Sequence, residues 1–253
     1  MPPLLTVTAS NEKYAPSYIP TAVFIGGTSG IGQAMAELFA TQTKGRANII
    51  LIGRNKAAAE KIIAGFPSPP ASDEEGAVIK HEFVQCDASE LKNVHETTQE
   101  LLKRLEKINI LVLCAAILDF KPIETAEGLD RSMVLRYYSR AKFTHELMPL
   151  LTNAKAKGED ARVVTILGAA MGGRVDLTDL GTKTWSLRRM AHHTGTYNDI
   201  LVKVCPFLRY RVKNDVLPHF LFPGAERTSP GHGVCPHPPR RGRYARAQLP
   251  LGR

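Results

Sequence analysis

Three glycines, Gly26, Gly30 and Gly32, stand in a G-x-x-x-G-x-G spacing behind the apolar run Ala22, Val23, Phe24 and Ile25. That run is short and rich in β-branched and aromatic residues, which reads as a buried strand. Beyond the glycines, Ile31, Met35, Leu38 and Phe39 recur at helical spacing. Strand, glycine turn and helix together make a cradle for a pyrophosphate. Gly26 allows a sharp turn with positive φ. Gly30 removes a side chain where backbone must approach phosphate, and Gly32 lets the helix pack close to the strand. The backbone N–H groups around Ser29, Gly30 and Ile31 lie at the positive end of the helix dipole, which attracts an anion.

This spacing, ending in Gly-Ile-Gly, resembles the short-chain dehydrogenase/reductase family rather than the G-x-G-x-x-G dehydrogenases. The resemblance runs from about residue 21 to residue 224, good in the cofactor half and poor at the catalytic positions. It implies a nicotinamide dinucleotide cofactor. It also implies hydride transfer between that cofactor and a small-molecule carbonyl, alcohol or activated alkene. The W-S-L-R-R stretch from Trp185, with His192 and His193 behind it, resembles divergent fungal members, some of them tailoring enzymes of secondary metabolism.

The cofactor choice follows from the end of the second strand, residues 48–52, which runs into Gly53, Arg54 and Asn55. An acidic residue at that end would accept hydrogen bonds from the adenosine ribose and favour NAD(H). Gly53 offers none, and the Arg54 guanidinium suits a 2′-phosphate through charge-assisted hydrogen bonds. The expectation is NADP(H) over NAD(H), the other reading being a solvated arginine at a strand end. Family resemblance adds Asp87 as a partner for the adenine amino group, with helix capping as its other reading. It also places Ala115 where the ribose packs, in L-C-A-A instead of the usual N-N-A-G.

The catalytic positions depart from the family. Gly168, Ala169 and Ala170 stand where the substrate-binding serine is expected. Aligning back from Ile200, Leu201 and Val202 places Trp185 at the Tyr and Arg189 at the Lys of Y-x-x-x-K. An indole N–H only donates and cannot replace a titrating phenol. Arg189 keeps a positive charge for ribose hydroxyls. A rival register uses Tyr197 and Lys203, whose spacing of six puts them on different helix faces. His192 and His193 are solvated histidines by default and general acids otherwise. Arg136 takes the place of the family's relay asparagine, where it contacts phosphate or substrate, pairs with an acid, or faces water.

These residues need a doubly wound α/β domain. Strands are expected at 22–25, 48–52, 78–85, 110–114, 162–167 and 216–222, in the parallel order 3-2-1-4-5-6. Helices are expected at 56–64, 91–108 and 128–151, with a loop after residue 151 and a loose lead-in before the first strand. The cofactor domain covers residues 1–224 and is C-terminally incomplete against the family. Residues 225–253 form a tail of Pro, Gly and Arg that reads as disordered.

With 253 residues, 43% hydrophobic and 23% charged, the composition is that of one globular domain. The net charge of +9 owes much to the tail, which holds six arginines against Glu226. Beyond Tyr244 that tail has no aromatic to stack bases, so it makes a poor nucleic-acid surface. Four scattered cysteines without a C-x-x-C pair suggest neither a zinc site nor disulfides, and fit a reducing, cytoplasmic setting. No apolar run is long enough to span a membrane, and the N-terminus lacks the pattern of a secretory signal. The partner expected is a small-molecule substrate, with homo-oligomerisation left open. A second class of function stands beside the oxidoreductase: a catalytically weak or inactive cofactor-binding pseudoenzyme, acting as scaffold or sensor.

Overall fold

The computed structural model describes residues 3–68, 78–167, 172–184 and 186–205. At its centre lies β1 (Thr21–Ile25), with all five residues buried. It pairs in parallel with β2 (Asn48–Gly53) on one side and β4 (Ile110–Leu113) on the other. Outside these lie β3 (His81–Gln85) and β5 (Arg162–Thr165), giving the order β3-β2-β1-β4-β5 among the described residues. The strand expected at 216–222 and the tail lie outside those residues. A parallel sheet covered on both faces needs strands that are apolar throughout. TAVFI, NIILIG and ILVL meet that need.

Alternation along β1 divides the core. Ala22 and Phe24 face α2 (Gly30–Gln42) and α3 (Lys56–Ala64), packing with Met35, Phe39, Ala59 and Ile62. Val23 and Ile25 join the opposite cluster with Val94 and Leu101 of α4 (Leu91–Arg104). Two further helices, α6 (Ser139–Glu146) and α7 (Met148–Ala156), add Phe143, Leu150 and Leu151 to it. Two apolar layers thus fix which way each strand faces, since a slip of one residue would exchange them.

Asn109 clamps the amino ends of the strands. It is fully buried and accepts a hydrogen bond from the Thr21 N–H at 2.9 Å. Its amide donates to Glu159 Oε2 at 2.8 Å and to the Asp160 carbonyl at 2.9 Å. One side chain therefore satisfies buried polar groups from the starts of β1 and β5, which would be costly if left unpaired.

Several expectations are corrected. The lead-in holds a helix, α1 (Leu4–Glu12), with Val7 and Asn11 buried. Pro3, at its N-cap with φ −59° and ψ 148°, needs no N–H partner there. The single helix expected at 128–151 is three: α5 (Arg131–Met133), then a π-helical turn (Val134–Tyr138) leading into α6, then α7 beyond Leu147. Pro149 falls in the first turn of α7, where its ring is tolerated although it cannot continue α6. α7 runs on to Ala156, where a loop was expected. β3 begins at His81, and β4 and β5 stop at Leu113 and Thr165, each shorter than its apolar run suggests.

The contact between α2 and β1 can be tested directly. A Cβ at Gly32 would lie 2.2 Å from the Gly26 carbonyl oxygen, whereas a Cβ at Gly30 would meet nothing within 4 Å. Gly32→Ala should cost about 3 kcal/mol through overpacking. Gly30→Ala should cost about 1–2 kcal/mol through its positive φ alone. Urea denaturation of the two variants checks the ranking, and equal losses would mean that α2 is not seated as described.

Candidate active site

β1 passes into α2 through Gly26 to Ser29. Gly26 has φ 83°, and its N–H donates to the Ile52 carbonyl at 2.8 Å. A Cβ there would lie 2.6 Å from the Ala115 nitrogen, so the end of β4 abuts the turn directly. Protein atoms take up the space beside Gly26 and Gly32, while Gly30, at φ 57°, faces open space at the helix start. Ser29 is the N-cap of α2 but makes no side-chain capping bond, and the first turn holds no acidic residue. The Ser29 side chain therefore leaves the first N–H groups of α2 uncapped, while the Gly32 N–H meets the Cys114 thiol. These features fit a pyrophosphate group.

At the end of β2, a Cβ on Gly53 would lie 3.0 Å from the Thr28 side chain, so this strand end packs on the glycine turn. Arg54 is exposed beside it. Asn55 caps α3, its side chain accepting from the Ala58 N–H at 3.0 Å. Asp87 is half-buried after β3, and its Oδ1 accepts from the Ser89 N–H at 3.0 Å and the Ser89 hydroxyl at 2.7 Å. Asp87 does not cap α4: the N-cap is Glu90, and the Leu91 and Lys92 N–H groups donate to the Glu127 carboxylate at 2.6 and 2.7 Å.

Arg140 governs the carboxyl ends of β4 and β5. Only 2% of it is exposed. Its guanidinium donates to the carbonyls of Leu113 and Ala115, both at 3.0 Å, and to Leu135 at 3.2 Å. It also donates to the Thr165 hydroxyl at 2.6 Å. Burial pulls its pKa down to about 10, with Arg136 adding to the fall and Cys114 opposing it. Thr165 in turn donates to Asn198 Oδ1 at 3.4 Å, and the Asn198 amide donates to the Arg136 carbonyl at 2.9 Å. Arg136 is half-buried in the π-helical turn, and burial lowers its pKa against the opposing charge of Asp119. Asp119 is held by Arg131 at 2.6 and 3.2 Å and by the Ser132 hydroxyl at 3.1 Å.

The last element is α8 (Leu187–Val204), capped by Ser186, whose hydroxyl accepts from the Arg189 N–H at 3.5 Å. Trp185 and the segment Gly168, Ala169 and Ala170 lie outside the described residues. Of that proposed pair, Arg189 falls in the first turn of α8. Arg189 is exposed, donates to the Thr184 hydroxyl, and lies 3.6 Å from Asp179 and 3.8 Å from Asp176. Both carboxyls sit below their ordinary range, chiefly through hydrogen bonds from Thr184 and Thr178 respectively.

Tyr197 donates its phenol hydrogen to the Leu180 carbonyl at 2.9 Å. Burial first, then Tyr138, Tyr137 and Asp179, raise its pKa. Lys203 is exposed and makes no contact with it among the described residues. The histidines depart from the solvated default. His193 is 1% exposed, with Nε2 accepting from the Asp176 N–H at 3.0 Å, and His192 is half-buried against Gly173. His193 sits on the face of α8 that carries the buried Met190 and Thr194.

Arg140, Thr165, Asn198 and Asp119 were not legible as site residues. The one usable signal is that Arg140 shares helical spacing with the apolar Phe143 and Leu147, which puts it on a buried face. Glu127, from a distant loop, carries no local signal for capping α4.

A parallel sheet with a phosphate cradle at the carboxyl end of its central strand defines a dinucleotide-binding α/β protein. Residues 20–176 match the family model described as short chain dehydrogenase, and the chain belongs to that family. It is similar to oxidoreductase andH of Emericella variicolor, with 30% identity over 213 residues, 81% of this chain and 59% of that protein. The chain spans little more than half the length of the curated relatives it matches. Among solved structures, it shares its fold with a bulky-bulky ketone specific alcohol dehydrogenase from Comamonas testosteroni. That likeness has a TM-score of 0.52 and 20% identity, covering 73% of this chain and 64% of that one. An alcohol dehydrogenase from the archaeon Thermococcus sibiricus, complexed with 5-hydroxy-NADP, has a TM-score of 0.50 and 18% identity, covering 74% of this chain and 69% of that one.

Hydrogen bonds from Arg131 hold the Asp119 carboxyl below its ordinary range, with burial opposing. A depressed carboxyl stabilises the fold above its unfolded value, about 3.9, and loses that contribution as pH falls through the folded value. Asp119→Asn should therefore be less stable than the parent chain at pH 7, with the gap closing below about pH 4. Urea midpoints measured from pH 7 down to about pH 3 check this. A gap independent of pH would show that Asp119 is not held ionised.

Proposed function

We propose that the chain binds NADP(H) and is an oxidoreductase acting on a small-molecule carbonyl, alcohol or activated alkene. The observation that carries this reading is the open, uncapped start of α2 at Gly30, set against the end of β1. There Ser29, Gly30 and Ile31 would hold the pyrophosphate through backbone N–H groups. Arg54 would pair with the 2′-phosphate, no carboxylate standing at Gly53 to repel it. Asp87 would face the adenine, since its Oδ2 accepts no hydrogen bond among the described residues. Ala115 would form the small surface under the ribose. The matched Thermococcus sibiricus enzyme carries 5-hydroxy-NADP, which supports the choice of cofactor. When bound, the nicotinamide supplies or accepts hydride.

What this chain's own residues contribute to the chemistry is limited. Arg189 is engaged with Asp176 and Asp179, and the Tyr197 phenol is spent on a backbone carbonyl. The sequence offers Trp185 and Gly168 where a phenol and a hydroxyl would serve. These features favour a weak catalyst, or a cofactor-binding scaffold, over a brisk ketone reductase. The fungal relatives are described as oxidoreductases, which supports the reaction class. The free thiols Cys86, Cys114 and Cys205 suit a reducing compartment such as the cytoplasm. Among the described residues no helix is long and apolar enough to cross a membrane.

Calorimetry at fixed salt should give tighter binding of NADPH than of NADH. Arg54→Ala should remove most of the difference, about 1.5–3 kcal/mol for hydrogen bonds to a charged group. Equal affinities in the parent chain would defeat the NADP(H) assignment.

NADPH oxidation with generic ketones should be slow, because a positioned general acid is worth about 10²–10⁴-fold. Trp185→Tyr with Arg189→Lys should raise it at matched cofactor saturation. Fast turnover that survives Trp185→Phe but not Tyr197→Phe would instead move the acid to Tyr197.

A further inference from the structure

The carboxyl ends of β4 and β5 hold two guanidinium groups, and neither is bonded to a carboxylate among the described residues. Arg140 is buried and gives its N–H groups to three carbonyls and a hydroxyl, so its charge is solvated but not neutralised. Arg136 lies one helical turn earlier. Its Nε is buried and makes no hydrogen bond. Asp119, the acid whose charge reaches it, is already occupied by Arg131 and Ser132. Arg136 also sits inside the π-helical turn, a distortion that concentrates at functional sites. Its carbonyl is tied to α8 through Asn198, so its backbone is held while its guanidinium is unpaired. Beside it, the Tyr137 ring lies 5.0 Å from Tyr197 and 5.5 Å from Tyr138, giving a half-buried aromatic wall.

A desolvated donor without a partner is costly. A planar carboxylate removes that cost, because a guanidinium meets it with paired, charge-assisted hydrogen bonds. We propose that Arg136 is a substrate-binding residue that takes the carboxylate of a small organic acid, with Arg140 behind it keeping this end of the sheet positive. The assignment rests on the proposed function, in which this end of the sheet receives the substrate. An anion here has a second source, a phosphate of the cofactor, and the experiment separates the two.

Benzoate and its neutral isostere benzamide are titrated into the full-length chain by calorimetry, with and without saturating NADP⁺. Benzoate should bind at least about tenfold tighter than benzamide, the scale of one charge-assisted contact. Arg136→Gln should abolish that selectivity while NADP⁺ affinity stays within about twofold. Arg136→Lys keeps the charge but not the paired geometry, and should bind benzoate several-fold more weakly than the parent, with benzamide unchanged. A melting curve shows whether each variant folds; should the glutamine variant not fold, the lysine variant decides. Benzoate no tighter than benzamide in the parent chain, or selectivity unchanged in both variants, overturns the proposal. So does a loss that falls on NADP⁺ instead of benzoate, which would give Arg136 to the cofactor. A parent chain that ignores NADP⁺ overturns the proposed function alone, since the titration without cofactor still decides this one.

Discussion

The structure depends on one close approach. Gly32 brings the first turn of α2 so near the end of β1 that no side chain fits between it and the Gly26 carbonyl oxygen. That contact aims the helix start at the carboxyl end of the sheet and exposes its first N–H groups there. The rest of the fold supports the placement. β2 and β4 pin β1 from both sides, and two apolar clusters hold the helices on opposite faces. The Ala115 backbone then presses against Gly26 from the β4 side. A phosphate cradle is in this sense a packing consequence: it exists because helix and strand are closer than side chains would allow.

The two ends of the sheet are held by different chemistry. Asn109 joins the amino ends with a neutral amide, which satisfies its partners at no electrostatic cost. Arg140 joins the carboxyl ends with a charged group. Burying a cation without a carboxylate is expensive unless its N–H groups are bonded. Carbonyls from the end of β4 and from the π-helical turn, with the Thr165 hydroxyl of β5, meet that demand. Where the resembled family has N-N-A-G, this sequence has Leu113, Cys114, Ala115 and Ala116, so the first amide side chain is lost. The Arg140 clamp spans the same strand end.

The sequence carried the parts of the fold that local rules determine. Unbroken apolar runs marked β1, β2 and β4, because strands buried on both faces tolerate nothing else. Glycine spacing marked the cradle, since φ at Gly26 and the contact at Gly32 leave no alternative residue. Helix breaks were harder to see. The π-helical turn at Val134–Tyr138 interrupts the helical period within one apolar stretch and leaves no periodic trace in the sequence. The helix over residues 4–12 was missed because Pro2 and Pro3 suggest a loose segment, yet proline is well placed at a helix start. Histidine burial was missed for a similar reason: only the loop at Asp176, folded back on α8, closes His193 from water.

Where the candidate site parts from its family, the departures share one direction. In the register read from the sequence, the family's proton-moving positions carry residues that do not titrate usefully. Trp185 only donates, and Gly168, Ala169 and Ala170 bring no hydroxyl. The same region gains fixed positive charge at Arg136 and Arg140. Such a site is poorly suited to delivering a proton to a developing alkoxide. It is better suited to holding an anion, or to stabilising negative charge that resonance already spreads over a substrate, as in an activated alkene. The electrostatics of the strand ends are therefore set by Arg136 and Arg140, whose guanidinium groups meet no carboxylate among the described residues.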